Sequence, residues 1–359
     1  MPATELDRAR ADAFAERMVN TLNDGFLAMM LSIGHQTGLL ARMGDMAPAR
    51  SDEIARAAGL DARNVREWLD ALVAGGIVEY DPEGSTYHLP PEHAVSLTDR
   101  SGAANMAPLM LWVSCMGEVE PKLVEAFRHG RGVPYSAYAR FHGIMNESNG
   151  QMFDDTLLQR TLPALPGLIE RLEQGIDVLD VGCGSGHAIN LMARAFPKSR
   201  FRGYDFSPEG IAAGRAEAKE WGLANAQFQV QDAAEIPDRE ALDLITSFDA
   251  IHDQAHPRRV LAHIARALRP GGVYLMVEPK AASRVEENLG EPLAPFLYSI
   301  SAMHCMQVSL AYEGEGVGAA WGEAKAREFL REAGFGEAEA RQVQGDLVNT
   351  YYLARVRAW

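Results

Sequence analysis

Cysteine and positive charge are what this sequence has least of: three cysteines in 359 residues, and a net charge of -15. Cys115, Cys183 and Cys305 are far apart, odd in number and without Cys-x-x-Cys spacing, so neither a disulfide framework nor a zinc site is indicated. No metal is expected, and the plain location for such a chain is the reducing cytoplasm. Non-specific nucleic-acid binding depends on Lys and Arg neutralising phosphates, and no basic run occurs anywhere, so only a local patch could support it. A membrane-spanning run is missing too, because the apolar stretch from Phe26 to Leu40 is broken by His35 and Gln36. The opening Glu5-Leu-Asp-Arg-Ala-Arg-Ala-Asp12 lacks the basic-then-apolar order of a signal peptide.

What is present suits about two domains, since 47% of the 359 residues are hydrophobic. Residues 5–44 place Phe14, Met18, Leu22, Phe26, Met29, Met30 and Ile33 at helical spacing, which predicts one or two helices with a long face to bury and no core of their own. Ser51 to Leu60 begins with a capping residue and stops at a glycine, and Asp61 to Gly75 repeats the pattern. Gly76–Tyr80 and Thr86–Leu89, joined by Asp81-Pro-Glu-Gly-Ser85, then read as a hairpin that completes a winged-helix outline. Over residues 1–100 there are 9 Arg and no Lys against 16 Asp and Glu, a net of -7. That balance favours dimerisation over DNA recognition, and a homodimer is expected.

Residues 101–165 are helical in pattern and form a linker that contributes to the active site. The remainder, 166–359, alternates strand and helix, with strands expected at 177–181, 200–204, 227–230, 243–249, 272–278, near 339–343 and at 349–356. This is the rhythm of a doubly wound α/β sheet closed by a hairpin around Gly345-Asp346. Residues 281–320 interrupt it and read as a cap over a site.

Chemistry concentrates at the strand ends, where open α/β sheets bind ligands. Val178-Leu-Asp-Val-Gly-Cys-Gly-Ser-Gly-His187 is strand, tight turn, helix, with Gly182, Gly184 and Gly186 spaced one residue tighter than the glycines that seat a dinucleotide pyrophosphate. Asp180 before the turn can face the amine of a cationic ligand. Asp205, with Phe206, ends the second strand, where an acid suits ribose hydroxyls. Asp232 and Ala233 end the third, and Phe248-Asp-Ala-Ile-His-Asp253 ends the fourth. In the helical lead and the insertion, Met145, Phe296, Tyr298, Met303, His304, Met306 and Trp321 are candidates either for an apolar acceptor pocket or for the core of the cap.

This order of features resembles the class I S-adenosylmethionine-dependent methyltransferases, with a Rossmann-like seven-stranded sheet. Across most of the chain it resembles the small-molecule O-methyltransferases that carry an N-terminal winged-helix domain. Phe141-His-Gly-Ile-Met145 stands where those enzymes show a Phe-Asn-x-x-Met segment, and Ala267-Leu-Arg-Pro-Gly-Gly272 precedes the fifth strand. His142 replaces their usual Asn, and Asn149 stands where a serine commonly meets the cofactor. Residues 248–254, 296–306 and 321–323 resemble an actinobacterial branch of the same group.

The resemblance implies S-adenosyl-L-methionine as cofactor, held by Asp180, Gly182, Cys183, Gly184, Gly186, Asp205, Phe206, Asp232, Ala233 and Phe248. It implies an acceptor pocket with Phe141 and Met145, and His252 as general base oriented by Glu278. Methyl transfer is an in-line displacement, so holding the acceptor opposite the leaving sulfur dominates, and a weak oxygen nucleophile gains roughly 10²–10⁴ from a base. The expected function is methyl transfer to a small, aromatic or apolar molecule at oxygen. The alternative is a winged-helix regulator that senses the cofactor without turnover, and methylation of RNA or protein is disfavoured by the charge.

Overall fold

The computed structural model describes residues 6–99, 105–346 and 348–356, and the chain divides into two compact units, Met1–Gly117 and Glu118–Trp359. In the first unit α1 (Arg8–Gln36) and α2 (Leu39–Gly44) precede α3 (Ser51–Ala58) and α4 (Ala62–Ala74). The hairpin of β1 (Glu79–Asp81) and β2 (Thr86–His88) and the short α5 (Pro91–Leu97) follow, which is the winged-helix outline. Asp61 caps α4 by accepting from the Asn64 N–H at 2.9 Å. At α3 the helix already includes Ser51; the cap position is Arg50, whose N–H is taken at 2.9 Å by the Glu53 side chain reaching back. The hairpin turn is closed by Asp81, which accepts from the N–H groups of Glu83 and Gly84.

Leu40, Ile54, Leu69 and Leu72 form the centre of this unit's core, and Trp68 joins it while donating its indole N–H to the Met30 carbonyl at 2.8 Å. The long face of α1 has no core of its own within one chain, as its sequence pattern suggests. Phe14, Met18, Leu22 and Phe26, spaced every four residues on one side of α1, are 59%, 43%, 60% and 65% exposed. Within one chain only the far end of the helix, at Leu31, Ser32 and Gly34, is covered.

The second unit takes in the later part of α6 (Leu111–His129) and then α7 (Phe141–Thr156) and α8 (Leu168–Gln174). The sheet follows: β3 (Asp177–Val181), α9 (His187–Ala195), β4 (Arg200–Asp205), α10 (Pro208–Glu220), β5 (Ala226–Val230), β6 (Leu242–Phe248), α11 (Pro257–Ala267) and β7 (Leu268–Pro279). An insertion with α12 (Ala294–Ile300) and α13 (Met306–Ala311), flanking a π-helical turn at Ser301–Cys305, leads to α14 (Gly322–Glu332), β8 (Glu339–Arg341) and β9 (Asn349–Arg355). The strand order is β5-β4-β3-β6-β7-β9-β8, parallel except that β9 runs antiparallel to both β7 and β8.

Strand alternation builds a core on each face. Tyr274 and Met276 of β7 join Leu179, Ile245, Phe329 and Phe335 on one side, while Val273, Leu275 and Val277 join Val178, Leu244, Ile189 and Met192 on the other. A sheet buried on both faces leaves its carboxyl edge as the place for function, and the order reverses between β3 and β6, which opens the crevice there.

Candidate functional site

At the end of β3 the chain turns through Gly182, Gly184 and Gly186 with φ of 72°, 54° and 73°, all left-handed. The turn is also crowded. A Cβ at Gly182 would sit 2.5 Å from that of Ala250, and one at Gly186 would overlap the Phe228 ring, so glycine is required at both. Asp205 at the end of β4 locks this turn to the next strand, accepting from the Gly184 N–H and from the Ser207 N–H, each at 2.8 Å. Burial still outweighs those two bonds and raises its pKa. Asp180 is 2% exposed and accepts from the Thr246 hydroxyl at 2.7 Å; burial, only partly offset by that bond, raises its pKa to about 7.

These groups open on a cavity of about 400 Å³, within the range of small-molecule sites. Asp180, Gly182, Cys183, Gly184, Asp205, Phe206, Asp232, Ala233 and Phe248 line it, as do Phe141 and Met145 of α7. Gly186 lies just behind the wall as the residue that starts α9. His142 and Asn149, where the sequence departs from the resembling enzymes, both face the cavity. Burial lowers the pKa of His142, against the pull of Asp205 and Glu209. Burial also raises the Cys183 thiol well above its ordinary value, which makes it an inert wall residue.

Two family models match parts of this chain. Residues 25–99 match the Rv2258c-like winged HTH domain, and residues 172–334 match the Methyltransferase domain. The chain thus carries a winged helix-turn-helix domain followed by a methyltransferase domain. Its sequence is 32% identical over 114 residues to the phthiotriol/phenolphthiotriol dimycocerosates methyltransferase of Mycobacterium leprae, covering 32% of this chain and 41% of that one. It is 34% identical over 141 residues to the dimethylglycine N-methyltransferase of Parasynechococcus marenigrum, covering 38% of this chain and 50% of that one. The matches thus span half or less of these curated relatives. The crystal structure of human N-acetylserotonin methyltransferase in complex with SAM superimposes over 100% of both chains with a TM-score of 0.70 at 18% identity, a likeness of fold.

In this methyltransferase domain β6 ends in a short, tightly held loop. Asp249 has a left-handed backbone, φ 51°, and donates its N–H to the Val277 carbonyl at 2.9 Å. Glu278, fully buried at the end of β7, accepts from the Ile251 N–H at 3.0 Å and meets His252 Nδ1 at 2.7 Å. The pairing of His252 with Glu278 is therefore made, but His252 is 5% exposed and does not line the cavity. Burial alone would lower the imidazole's pKa; the Glu278 charge and the Cys305 side chain, which also hydrogen-bonds the ring, outweigh it and hold the pKa well above its ordinary value. Its neighbour Asp253 does line the cavity, with a pKa raised to about 7 by burial and by Glu278 and Asp205, against the relief given by His252. Asp249 lines it too, raised to about 7 by burial and then by Glu278.

The insertion reaches the cavity through Val308 and Tyr312, not through the residues singled out from sequence. Trp321 is a core residue packed edge-on against Phe329, and Phe296 is 41% exposed. Tyr298 accepts from the Asn288 side chain at 3.0 Å, and Met303 gives its carbonyl to the Tyr138 hydroxyl at 2.6 Å. His304 is buried behind the wall, stacked on Phe141 with ring centroids 3.7 Å apart. The insertion instead holds the β6 loop: Gly318 N–H donates to the His252 carbonyl, Glu315 N–H to that of Ala255, and the Ser309 hydroxyl to that of Gln254. Tyr135, Asp249, Val308 and Tyr312 were not singled out from sequence; only Asp249 had a signal, its place directly after a strand end. Among the described residues no group of three or more His, Cys, Asp or Glu is placed to hold a metal ion, and no helix is long and apolar enough to cross a membrane.

Asp180, Asp249 and Asp253 all sit near 7 in the folded chain against an ordinary 3.8. A carboxyl raised on folding binds its proton more tightly in the native state, so its stability contribution is complete below about pH 4 and is lost as pH rises through about 7. Asp249→Asn removes that loss at one site. Relative to wild type it should therefore gain about 2–3 kcal/mol between pH 5 and pH 8 in urea unfolding. An identical effect at both pH values would show that Asp249 is not desolvated.

Proposed function

We propose that this chain catalyses S-adenosylmethionine-dependent methyl transfer to a small, aromatic or otherwise apolar molecule, with oxygen as the acceptor atom. The observation that carries the proposal is the gathering of the glycine turn and three successive strand-end acids, Asp180, Asp205 and Asp232, on one cavity of a methyltransferase domain. The residues fit the cofactor by donor chemistry. Asp205 at the second strand end suits two ribose hydroxyls, Asp232 suits the adenine amino group, and Asp180 the amino-acid ammonium. The turn around Gly184 brings bare backbone close, and Cys183, Phe206 and Phe248 supply apolar wall. Bound there, S-adenosylmethionine supplies an electrophilic methyl group.

The chain's own residues then hold the acceptor and take its proton. Phe141, Met145, Tyr135 and Tyr312 give the cavity an apolar, aromatic side that excludes water from the acceptor. For the proton, Asp253 is better placed than His252. An imidazole that is buried, hydrogen-bonded to Glu278 and outside the cavity lining does not reach an acceptor in the cavity. Asp253 opens to the cavity beside Tyr135 and titrates near 7, which is where a general base works best. His252 and Glu278 act as positioning residues for the loop that carries it. Incubation with methyl-labelled S-adenosylmethionine and a panel of phenols tests this. The rate should rise with pH through about 7, Asp253→Asn should lower kcat by about a hundredfold or more, and the pH limb should vanish in that variant. If Asp253→Asn retains more than about a third of the wild-type kcat on an oxygen acceptor, the base is elsewhere.

The first unit is best read as a dimerisation module, with a second copy of this chain covering the Phe14–Met18–Leu22–Phe26 stripe. Four large side chains every four residues along one face of α1 are the pattern of a helix packed against another helix. Nothing about α4 favours the regulator reading: Arg63 pairs with Glu67, and Arg66 lies 4.0 Å from Asp70, so its cations face acids on their own helix. Light scattering should give twice the 39.2 kDa chain mass, and Leu22→Glu with Phe26→Glu should halve it. A wild-type monomer at micromolar concentration would contradict the module's role.

A further inference from the structure

The cavity wall contains five aspartates, Asp180, Asp205, Asp232, Asp249 and Asp253, and no lysine or arginine. Three of them have a use in the cofactor reading, and Asp253 has one as base. Asp249 is left over, and it is the one whose chemistry is least satisfied. Its Oδ1 is buried with no hydrogen-bond partner, an arrangement that costs stability unless a ligand completes it. Its backbone is held in the left-handed region, φ 51°, by the bond to Val277, so the side chain's direction is imposed by the surrounding structure.

Position along the sheet edge separates Asp249 from the cofactor acids. Asp232, Asp205 and Asp180 belong to β5, β4 and β3, on one side of the crevice. Asp249 follows β6, on the other side, where Glu278 at the end of β7 and, more weakly, Asp346 in the loop before β9 raise its proton affinity while His252 lowers it. A carboxylate oxygen left without a hydrogen-bond partner on that side, beside an aromatic wall and with no lysine or arginine in the lining, is matched by a positive charge brought in by the acceptor. An anionic acceptor would meet the carboxyl groups of Asp249 and Asp253 there.

Resting on the methyl-transfer reading, we propose that Asp249 is the anchor for a protonated amine on the acceptor, so that this site takes amine-bearing aromatic molecules and refuses carboxylates. Asp249 selects the substrate and takes no part in the proton transfer.

Two matched phenols test this by calorimetry, tyramine with its ammonium and 4-hydroxyphenylacetate with its carboxylate, each titrated with and without S-adenosylhomocysteine. Tyramine should bind about tenfold or more tightly than 4-hydroxyphenylacetate, and Asp249→Asn should remove that preference. Asparagine tolerates the left-handed backbone, and unchanged S-adenosylhomocysteine binding shows that the variant is folded. Equal or tighter binding of the carboxylate, or no tyramine binding at millimolar concentration, overturns the proposal. So does a variant that loses S-adenosylmethionine but keeps S-adenosylhomocysteine, because Asp249 would then serve the cofactor's own cation. Failure of S-adenosylhomocysteine to bind the wild type would instead strike the cofactor reading, with the amine comparison still decided by the titrations made without it.

Discussion

Desolvated negative charge is the constraint on which the second unit depends. Like charges taken out of water together raise one another's proton affinity, and a folded chain keeps such a group only if the surroundings over-determine it. Here the determinants are specific. Thr246 holds Asp180 at 2.7 Å, and the Gly184 and Ser207 N–H groups hold Asp205 at 2.8 Å each. Glu278 is held by the Ile251 N–H and by His252. Each acid is fixed by a neighbouring strand or turn, so the sheet's register is what sets their spacing.

The two cores carry the stability that this arrangement gives up. Strands β3, β6 and β7 are buried on both faces, which makes their pairing insensitive to what happens at their ends. That division of labour is common where a rigid scaffold presents a strained, polar rim. The insertion between β7 and α14 adds a second level of support, since its backbone bonds hold the loop that follows β6 while Val308 and Tyr312 close one side of the cavity.

The sheet was legible because its signals are local: an apolar run of five to seven residues, a glycine or acid at its end, and a helix of amphipathic period after it. All seven expected strands are present within a few residues, and nine of the ten cofactor-side residues picked from strand ends line one cavity, with Gly186 behind the wall. The insertion was illegible for the opposite reason. In a segment rich in Met and aromatic residues, composition does not distinguish a side chain facing a cavity from one facing the core, and Trp321 and His304 went to the interior. His252 illustrates a different limit: sequence places it next to the strand end, but one residue decides which way a side chain points, and Asp253 took the cavity. The stripe on α1 and its lack of a core of its own were both visible as a pattern, whereas which end of the helix is covered, at Leu31, Ser32 and Gly34, was visible only in three dimensions.

The central claim is that the strand-end acids form a binding site for an adenosyl sulfonium cofactor, and one calorimetric experiment tests it most directly. Titration of the wild type and of Asp205→Ala with S-adenosylhomocysteine should give micromolar-range binding in the first and about ten- to a hundredfold weaker binding in the second, with no heat from NAD in either. Unchanged affinity in a folded Asp205→Ala protein, or measurable binding of NAD, would contradict it.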